Sequence, residues 1–139
     1  MENLYVEIVS PSGGTFRGEA KSVQAPGTEG SFAVLHNHAP MIASFEVGTI
    51  RITVPSGDEI RYATSGGFLE VLNNTVTILA ETAELASEID VERARAAEEK
   101  ALALLAGADD GDERRLAQAK LDRARNRLRA TMGQVGTRR

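Results

Sequence analysis

The chain has 139 residues, of which 42% are hydrophobic, and its formal net charge is -4 at pH 7. It contains no cysteine, which excludes disulfides, cysteine-ligated zinc and thiol catalysis, and its 4% of aromatic residues argues against stacking on single-stranded nucleic acid. No apolar run approaches the roughly 18 residues that cross a bilayer, and the acidic start lacks a signal-peptide core, so we expect a protein kept in the cytosol or an equivalent compartment.

Residues 1–86 predict β-structure. Short runs of alternating apolar and polar residues are separated by Gly, Pro or Asn turn signals roughly every 8–12 residues, a pattern typical of a β-sandwich or barrel. Two of the turns, at residues 54–59 and 72–75, are expected to be hairpin turns in which Gly or Asn adopts a positive φ. The predicted strands are residues 4–10, 16–20, 22–25, 30–34, 41–45, 48–54, 59–64, 67–72 and 75–80.

From residue 87 onwards the sequence predicts two helices. Residues 88–106 contain neither Gly nor Pro, a polar turn follows at 107–111, and a second helical run extends from about 112 to 132. We therefore predict a sandwich domain over residues 1–86 and a helical hairpin over residues 87–139. Either Ser87 or Asp90 is expected to cap the first helix, and either Asp110 or Asp112 the second.

Small apolar residues recur along both helices at steps of three and four, which predicts a narrow seam between them. A buried alanine methyl contributes only about 0.8 kcal/mol, whereas ordering the backbone costs about 1–2 kcal/mol per residue. We therefore expect a marginal hairpin that opens or re-docks for a few kcal/mol, as a conformational switch requires. The expected seam residues are Val91, Ala94, Ala97 or Glu98, Ala101 and Leu105 on the first helix, and Ala117, Leu121, Ala124, Leu128 and Thr131 on the second.

Charge is distributed unevenly along the chain. Residues 113–139 carry nine basic and two acidic side chains, a net charge of +7, which leaves -11 on the remainder. A basic arm implies an anionic partner, such as nucleic acid, a nucleotide or an acidic protein segment, unless it is simply a solvated helix face. Arg123 and Arg127 lie one turn apart, and antiparallel pairing of the helices brings Arg93 towards Arg127. Such a guanidinium cluster suits phosphate oxygens.

The β-segment offers little for catalysis. His36 and His38 can share a strand face and bind a metal, but the chain has no third histidine and no acid cluster flanks the pair. A loop whose histidines form local hydrogen bonds, or a contact site on that loop, is the preferred interpretation. Residues 27–30 are rich in glycine but lack the Lys-Ser/Thr of a phosphate-binding loop, so a tight turn is expected there. We expect neither an enzymatic site nor a metal site.

Five segments of the chain form a recognisable series. They are GTEGSFAVLHNHAP at 27–40, GTIRI at 48–52, SGGFLEV at 65–71, VTILA at 76–80, and Ile89-Asp90-x-x-Arg93-Ala94. In this order they resemble the ε subunit of the F-type ATP synthase, and the resemblance covers essentially the whole chain. It implies a ten-stranded β-sandwich followed by an antiparallel two-helix hairpin. It also implies a non-catalytic central-stalk subunit of a rotary, proton-translocating enzyme, located peripherally at the cytoplasmic face of the bacterial plasma membrane.

The resemblance further implies partners. In the family, the sandwich binds the γ subunit and rests on the c-ring, through a loop that corresponds here to the stretch around Ser31 and His38. Some members carry an acid at the position of Ser31. The C-terminal helices either fold against the sandwich or extend towards the catalytic α/β subunits, and extension blocks ATP hydrolysis.

A regulatory ATP is the only small molecule that the resemblance implies. In members that bind it, the nucleotide holds the helices in the folded hairpin. Lys100 stands where some of these members have arginine, so the charge is kept but bidentate geometry is lost. A stand-alone nucleic-acid-binding protein that uses the basic helix, or a metal enzyme that uses His36 and His38, remains as an alternative. The residues that match the family's ATP site are Glu84, Ile89, Asp90, Arg93, Ala94, Lys100, Arg123 and Arg127.

Overall fold

The fold is described from a computed structural model, which describes residues 3–11 and 13–136. The chain forms two compact units, Met1–Leu85 and Ala86–Arg139. In the described residues, the first unit contains ten strands and the second contains a short 3-10 turn and two α-helices.

The strands form two five-stranded sheets, which confirms the expected β-sandwich. The strands are β1 Leu4–Ser10, β2 Gly13–Ala20, β3 Ser22–Ala25, β4 Phe32–Leu35, β5 Met41–Phe45, β6 Gly48–Thr53, β7 Glu59–Thr64, β8 Gly67–Leu72, β9 Thr75–Ala80 and β10 Ala83–Leu85. The strand orders are β2-β1-β9-β8-β5 and β10-β7-β6-β3-β4. Strands β1 and β9 pair in parallel, and the other pairs of neighbours are antiparallel.

Two differences from the predicted strands have a local cause. Strand β4 begins at Phe32 rather than at Gly30, because Gly30 has a φ of 118° and its N–H donates to the Gly27 carbonyl oxygen at 3.1 Å, which closes a turn. Strand β10 was not among the nine predicted strands. It is only three residues long, too short to show an alternating pattern.

The core of the sandwich consists of branched aliphatic side chains. Along β1, for example, Leu4, Val6 and Ile8 are almost fully buried because alternate side chains of a strand point to the same face. Full burial of a side chain of this size contributes about 1.5–3 kcal/mol, so this unit has a substantial core of its own. The largest fully buried side chains are Leu4, Val6, Ile8, Val23, Val34, Ile50, Ile52, Leu69, Val71, Val76 and Ile78.

Both expected hairpin turns are confirmed. Between β8 and β9, Asn73 and Asn74 have φ values of 50° and 63°, the geometry that matches the twist of the flanking strands. Between β6 and β7, Gly57 has a φ of 98°, and the Val54 N–H donates to the Asp58 carbonyl oxygen at 2.9 Å.

The helical unit begins with a 3-10 turn over Ala86–Glu88, followed by α1 over Val91–Ala106 and α2 over Gly111–Gly136. Asp90, not Ser87, caps α1, because its Oδ1 accepts a hydrogen bond from the Arg93 N–H at 3.2 Å. Asp110, not Asp112, caps α2, since its Oδ1 accepts from the Glu113 N–H at 2.8 Å.

The two helices pack against each other along a seam made mainly of alanine. The predicted seam residues Val91, Leu105, Leu128 and Thr131 are only half-buried, and so are both Ala97 and Glu98. The seam is therefore narrower than the sequence pattern indicates. Its fully buried members are Ala94 and Ala101 on α1, and Ala117, Leu121 and Ala124 on α2.

Gly67 begins β8 and lies directly opposite Ala80 of β9. A Cβ atom at this position would overlap the Leu79 carbonyl oxygen and lie 3.0 Å from the Ala80 Cα, and neither backbone atom can move aside within a paired sheet. We expect Gly67→Ala to lower the free energy of unfolding by about 3 kcal/mol, measured by urea denaturation followed by circular dichroism. Gly18→Ala is the control, because its Cβ would meet only the Phe16 ring at 3.6 Å. Equal destabilisation by the two substitutions would contradict this account.

Candidate functional site

A groove between α1 and α2 brings together cationic side chains from both helices. Its floor includes the buried residues Ala101 and Ala124, and its cavity volume is ≈ 200 Å³. The small floor residues allow the long side chains at the edges to converge on one narrow space. The lining residues are Ala97, Lys100, Ala101, Leu104, Lys120, Arg123, Ala124 and Arg127.

An ion pair between the helices indicates their register. The Arg125 Nε lies 3.1 Å from the Glu98 Oε2, with side-chain exposures of 45% and 27%, so the pair contributes at most about 1 kcal/mol. Because the helices are antiparallel, this register places Lys100 across from Arg123. It places Lys120 closer to the turn of the hairpin, beside Leu104.

Most cations of the groove are not neutralised by neighbouring side chains. In the part of the chain that the structure describes, Lys100, Lys120 and Arg123 have no ion-pair partner, whereas Arg125 pairs with Glu98 and Arg115 with Asp112. Like charges that face one narrow groove repel each other, and an anion placed between them relieves that repulsion. The arrangement is therefore suited to binding a polyanion.

The predicted ATP-site residues fall into two groups. The structure brings Lys100, Arg123 and Arg127 together in the groove. Arg93 is exposed on the first turn of α1 and is not among the lining residues, so the expected cluster of Arg93 with Arg127 is not seen in this groove. Arg127 takes part in a further interaction within the protein.

The remaining predicted residues have structural roles or lie elsewhere. Asp90 caps α1, Ile89 is 9% exposed, and Ala94 is 1% exposed in the helix seam. Glu84 belongs to the other compact unit, on β10, where it pairs in register with Ala63. These positions give Asp90 and Ala94 a role in forming the hairpin itself.

Lys120 was missed by the sequence reasoning. It precedes Arg123 by three residues and Arg127 by seven, so the spacing of these cations along one helix face was a usable signal. The position of Lys120 relative to α1 depends on the register between the helices. Its side chain is exposed and lines the groove.

Ser31 and His38, the expected c-ring contacts, lie at opposite ends of β4. Exposed Ser31 precedes the strand, and half-buried His38 follows it, with its Nδ1 2.8 Å from the Ala39 carbonyl oxygen. A strand of four residues spans about 13 Å, so the two residues do not share one loop tip.

The loop that carries His38 is fixed by a pair of asparagine hydrogen bonds. The Asn37 N–H donates to the Asn74 Oδ1 at 2.6 Å, and the Asn74 Nδ2 donates to the Asn37 Oδ1 at 3.3 Å. Asn37 has a φ of 68°, a conformation that asparagine tolerates better than most residues. This Asn37–Asn74 link joins the β4–β5 loop to the β8–β9 turn.

The outer face of the first sheet carries exposed apolar side chains. Ile42, Phe68 and Leu79 are 74%, 59% and 55% exposed, and Phe68 lies directly opposite Leu79 across strands β8 and β9. Tyr5 and Leu72, on the same sheet, are also exposed. A group of large exposed apolar residues on one face is typical of a protein-interaction surface.

The profile of the ATP synthase delta/epsilon chain β-sandwich domain matches residues 3–86, and that of its long α-helix domain matches residues 87–132. The chain belongs to the ATP synthase delta/epsilon family. The ATP synthase epsilon chain of Salinibacter ruber is 51% identical over 145 residues, which cover 99% of this chain and 97% of that one. The ATP synthase epsilon chain of Desulfitobacterium hafniense (strain Y51) is 46% identical and covers 90% and 93%.

Two solved structures share the fold. A chain in the cryo-EM structure of the Euglena gracilis mitochondrial ATP synthase, OSCP/F1/c-ring, gives a TM-score of 0.82 at 22% identity, covering 95% of this chain and 82% of that one. A chain in the Tetrahymena thermophila mitochondrial ATP synthase structure, central stalk/c-ring, gives a TM-score of 0.61 at 17% identity and covers 92% and 96%.

Family membership decides between the interpretations of the sequence. The resemblance to the ε subunit is confirmed, and this epsilon-type chain is a non-catalytic subunit of an ATP synthase. These matches give no support to a stand-alone nucleic-acid-binding protein.

Over residues 3–11 and 13–136, no cluster of three or more His, Cys, Asp or Glu side chains is placed to hold a metal, so His36 and His38 have no further ligand there. None of the described helices is sufficiently long and apolar to span a membrane.

The capping role of Asp90 can be tested separately from any ligand. Removing an N-cap acceptor costs about 1 kcal/mol, so we expect Asp90→Ala to speed hydrogen exchange of the Arg93 amide about fivefold. Asp90→Asn retains an acceptor and should exchange at nearly the parent rate. If the two variants exchange at the same rate in the absence of nucleotide, the side chain of Asp90 does not stabilise α1.

Proposed function

We propose that this chain is the epsilon subunit of the central stalk in a rotary, proton-translocating ATP synthase, at the cytoplasmic face of a bacterial plasma membrane. In this proposal the sandwich couples the γ subunit to the c-ring, and the helical hairpin binds ATP and regulates ATP hydrolysis. The observation that carries the regulatory part is the interhelical groove, which brings four cationic side chains together in a chain that belongs to the delta/epsilon family.

The apolar outer face of the first sheet is the proposed binding surface for γ. Burying a large apolar side chain contributes about 1.5–3 kcal/mol. Burial of Ile42, Phe68 and Leu79 against γ would therefore supply a useful part of the binding free energy. A stalk position for chains with this fold is supported by the structural neighbour from Tetrahymena thermophila, which belongs to a central stalk/c-ring assembly.

A charge on this face should weaken the interaction with γ. We expect Leu79→Glu to raise the dissociation constant for the purified γ subunit roughly tenfold or more, because the carboxylate would be desolvated in the interface. Calorimetric titration measures the effect. Leu35→Glu is the matched control, since Leu35 is 57% exposed but lies on the other sheet. Equal weakening by both variants would rule out this face as the γ surface.

Ser31 and His38 are the proposed contacts with the c-ring. Since the four residues of β4, about 13 Å of extended chain, lie between them, we propose two separate contact points on the ring rather than one loop. The Asn37–Asn74 link supports the second point because it restrains the loop that presents His38.

The hairpin is the proposed regulatory switch. Separating α1 from α2 exposes mainly alanine methyl groups, at about 0.8 kcal/mol each, and also relieves the repulsion between the groove cations. ATP bound in the groove would favour the paired helices. At 100 times its dissociation constant, a ligand selective for that state stabilises it by about 2.7 kcal/mol. Without ATP, we propose, the basic α2 reaches the α/β subunits and inhibits hydrolysis.

The ATP site is tested by removing two of its arginines. We expect Arg123→Gln with Arg127→Gln to weaken ATP binding to the full chain about tenfold or more, because each charge-assisted hydrogen bond contributes about 1.5–3 kcal/mol before solvent screening. Calorimetric titration compares the variants.

The control is Arg114→Gln with Arg129→Gln, which removes the same charge from exposed positions of α2 outside the groove. The site assignment is wrong if the two double variants bind ATP equally well, or if the parent chain binds no ATP.

A further inference from the structure

A carboxylate lies in the middle of the apolar outer face of the first sheet. Glu70 is exposed on β8, and its neighbours on the same side of that strand are Phe68 and Leu72, which are 59% and 49% exposed. Towards β5, Glu70 lies directly opposite Ile42, which is 74% exposed. Any partner that covers these three apolar side chains must therefore also cover Glu70.

The register of the sheet shows how far Glu70 is from a compensating charge. One row of residues on this face crosses all five strands, in the order Arg17, Glu7, Thr77, Glu70 and Ile42. Neighbouring strands are about 4.8 Å apart, so the backbone of Arg17 lies about 14 Å from that of Glu70 along the row. The Arg17 guanidinium is already paired with the Glu7 Oε2 at 2.9 Å. In the part of the chain that the structure describes, Glu70 has no ion-pair or hydrogen-bond partner.

Covering Glu70 with a partner removes the water that solvates its charge. A carboxylate that loses water without gaining a cation or hydrogen bonds strongly opposes association, whereas a paired carboxylate can be buried at an interface. Because the row supplies no free cation near Glu70, the compensating charge has to come from the partner. Arginine and lysine are the side chains that carry such a charge at neutral pH.

We propose that Glu70 forms an ion pair with an arginine or lysine side chain of the γ subunit, within the apolar part of the interface. This inference rests on the proposed binding of γ to the outer face of the first sheet. The surrounding side chains of Ile42, Phe68 and Leu72 then exclude water from the pair. The pair also fixes the orientation of γ, because a neutral or acidic residue placed here would leave the Glu70 carboxylate desolvated and unpaired.

The direction of the change caused by Glu70→Gln tests the proposal. Glutamine keeps the size of the side chain and removes its charge, so the cation of γ would be left buried without its partner. We expect the dissociation constant for purified γ, measured by calorimetric titration with the full chain, to rise about thirtyfold or more. Unchanged binding would show that Glu70 stays in solvent. Tighter binding would show a carboxylate buried without a cation, and either result overturns the proposal.

Glu81→Gln is the matched control. It removes the same charge from an exposed carboxylate just beyond the end of β9, outside the apolar face. We expect this substitution to change the dissociation constant less than about twofold, since an exposed charge at the edge of an interface contributes little. If the two variants weaken binding equally, the effect comes from the total charge of the chain, and the ion pair at Glu70 is rejected.

Charge reversal identifies the partner residue. Glu70→Lys should bind γ more weakly than Glu70→Gln, because two like charges then meet in the interface. We expect one substitution of a basic γ residue by glutamate to restore binding of the Glu70→Lys variant at least tenfold. If no basic residue of γ does so when each is replaced in turn, the group that contacts Glu70 is not an arginine or lysine of γ.

The Leu79→Glu and Leu35→Glu variants separate this inference from the function on which it rests. If Leu79→Glu weakens binding of γ and Glu70→Gln does not, the face binds γ but the ion pair is wrong. If Leu79→Glu binds γ as well as Leu35→Glu does, γ does not use this face, and the surface assignment and the ion pair are both overturned.

Discussion

The close pairing of α1 with α2 depends on alanine at the positions where the helices face each other, and the groove depends on that pairing. The distance between packed helices is set by the side chains at their contact, so larger residues than Ala101 and Ala124 would move the helix axes apart. Lys100 and Arg123 would then no longer converge on one space. The same alanines contribute little on burial, about 0.8 kcal/mol for each methyl group. The alanines therefore make the groove narrow and, at the same time, contribute little free energy to the pairing of the helices.

Charge adds a second constraint on the closed hairpin. The Glu98–Arg125 pair satisfies one cation, while Lys100, Lys120 and Arg123 have no ion-pair partner in the described part of the chain. At physiological ionic strength the Debye length is about 8 Å, so repulsion between these exposed groups is partly screened. A polyanion bound in the groove, as proposed, would contact several of them at short range, where screening is weaker. Its binding would then depend on the convergence of the cations and not on the net charge of the chain.

The sequence predicted the elements whose signal is local. Asn73–Asn74 and Gly57 mark turns through their own backbone preferences, and the alternating strands follow from burial of one face. The choice between Ser87 and Asp90 as N-cap was not predictable, because both residue types cap well and the 3-10 turn decides where α1 begins. The grouping of Ser31 with His38 came from the resemblance to the family and not from a local pattern, so it took no account of the strand that lies between them. Lys120 was missed because its place in the groove depends on a register between helices that no local pattern contains.

The two units differ in the kind of side chain that they bury, and this difference separates their responses. The sandwich buries residues such as Ile8, Ile50 and Ile78 completely, each contributing about 1.5–3 kcal/mol, and the Asn37–Asn74 link restrains a loop at one end. The hairpin seam buries mainly methyl groups, so the free energy of separating its helices is far below that of disrupting the sandwich core. A force or ligand of a few kcal/mol can therefore rearrange the hairpin while the sandwich stays folded. This difference meets the physical requirement of the proposed function, in which the sandwich transmits motion and the hairpin responds to a nucleotide.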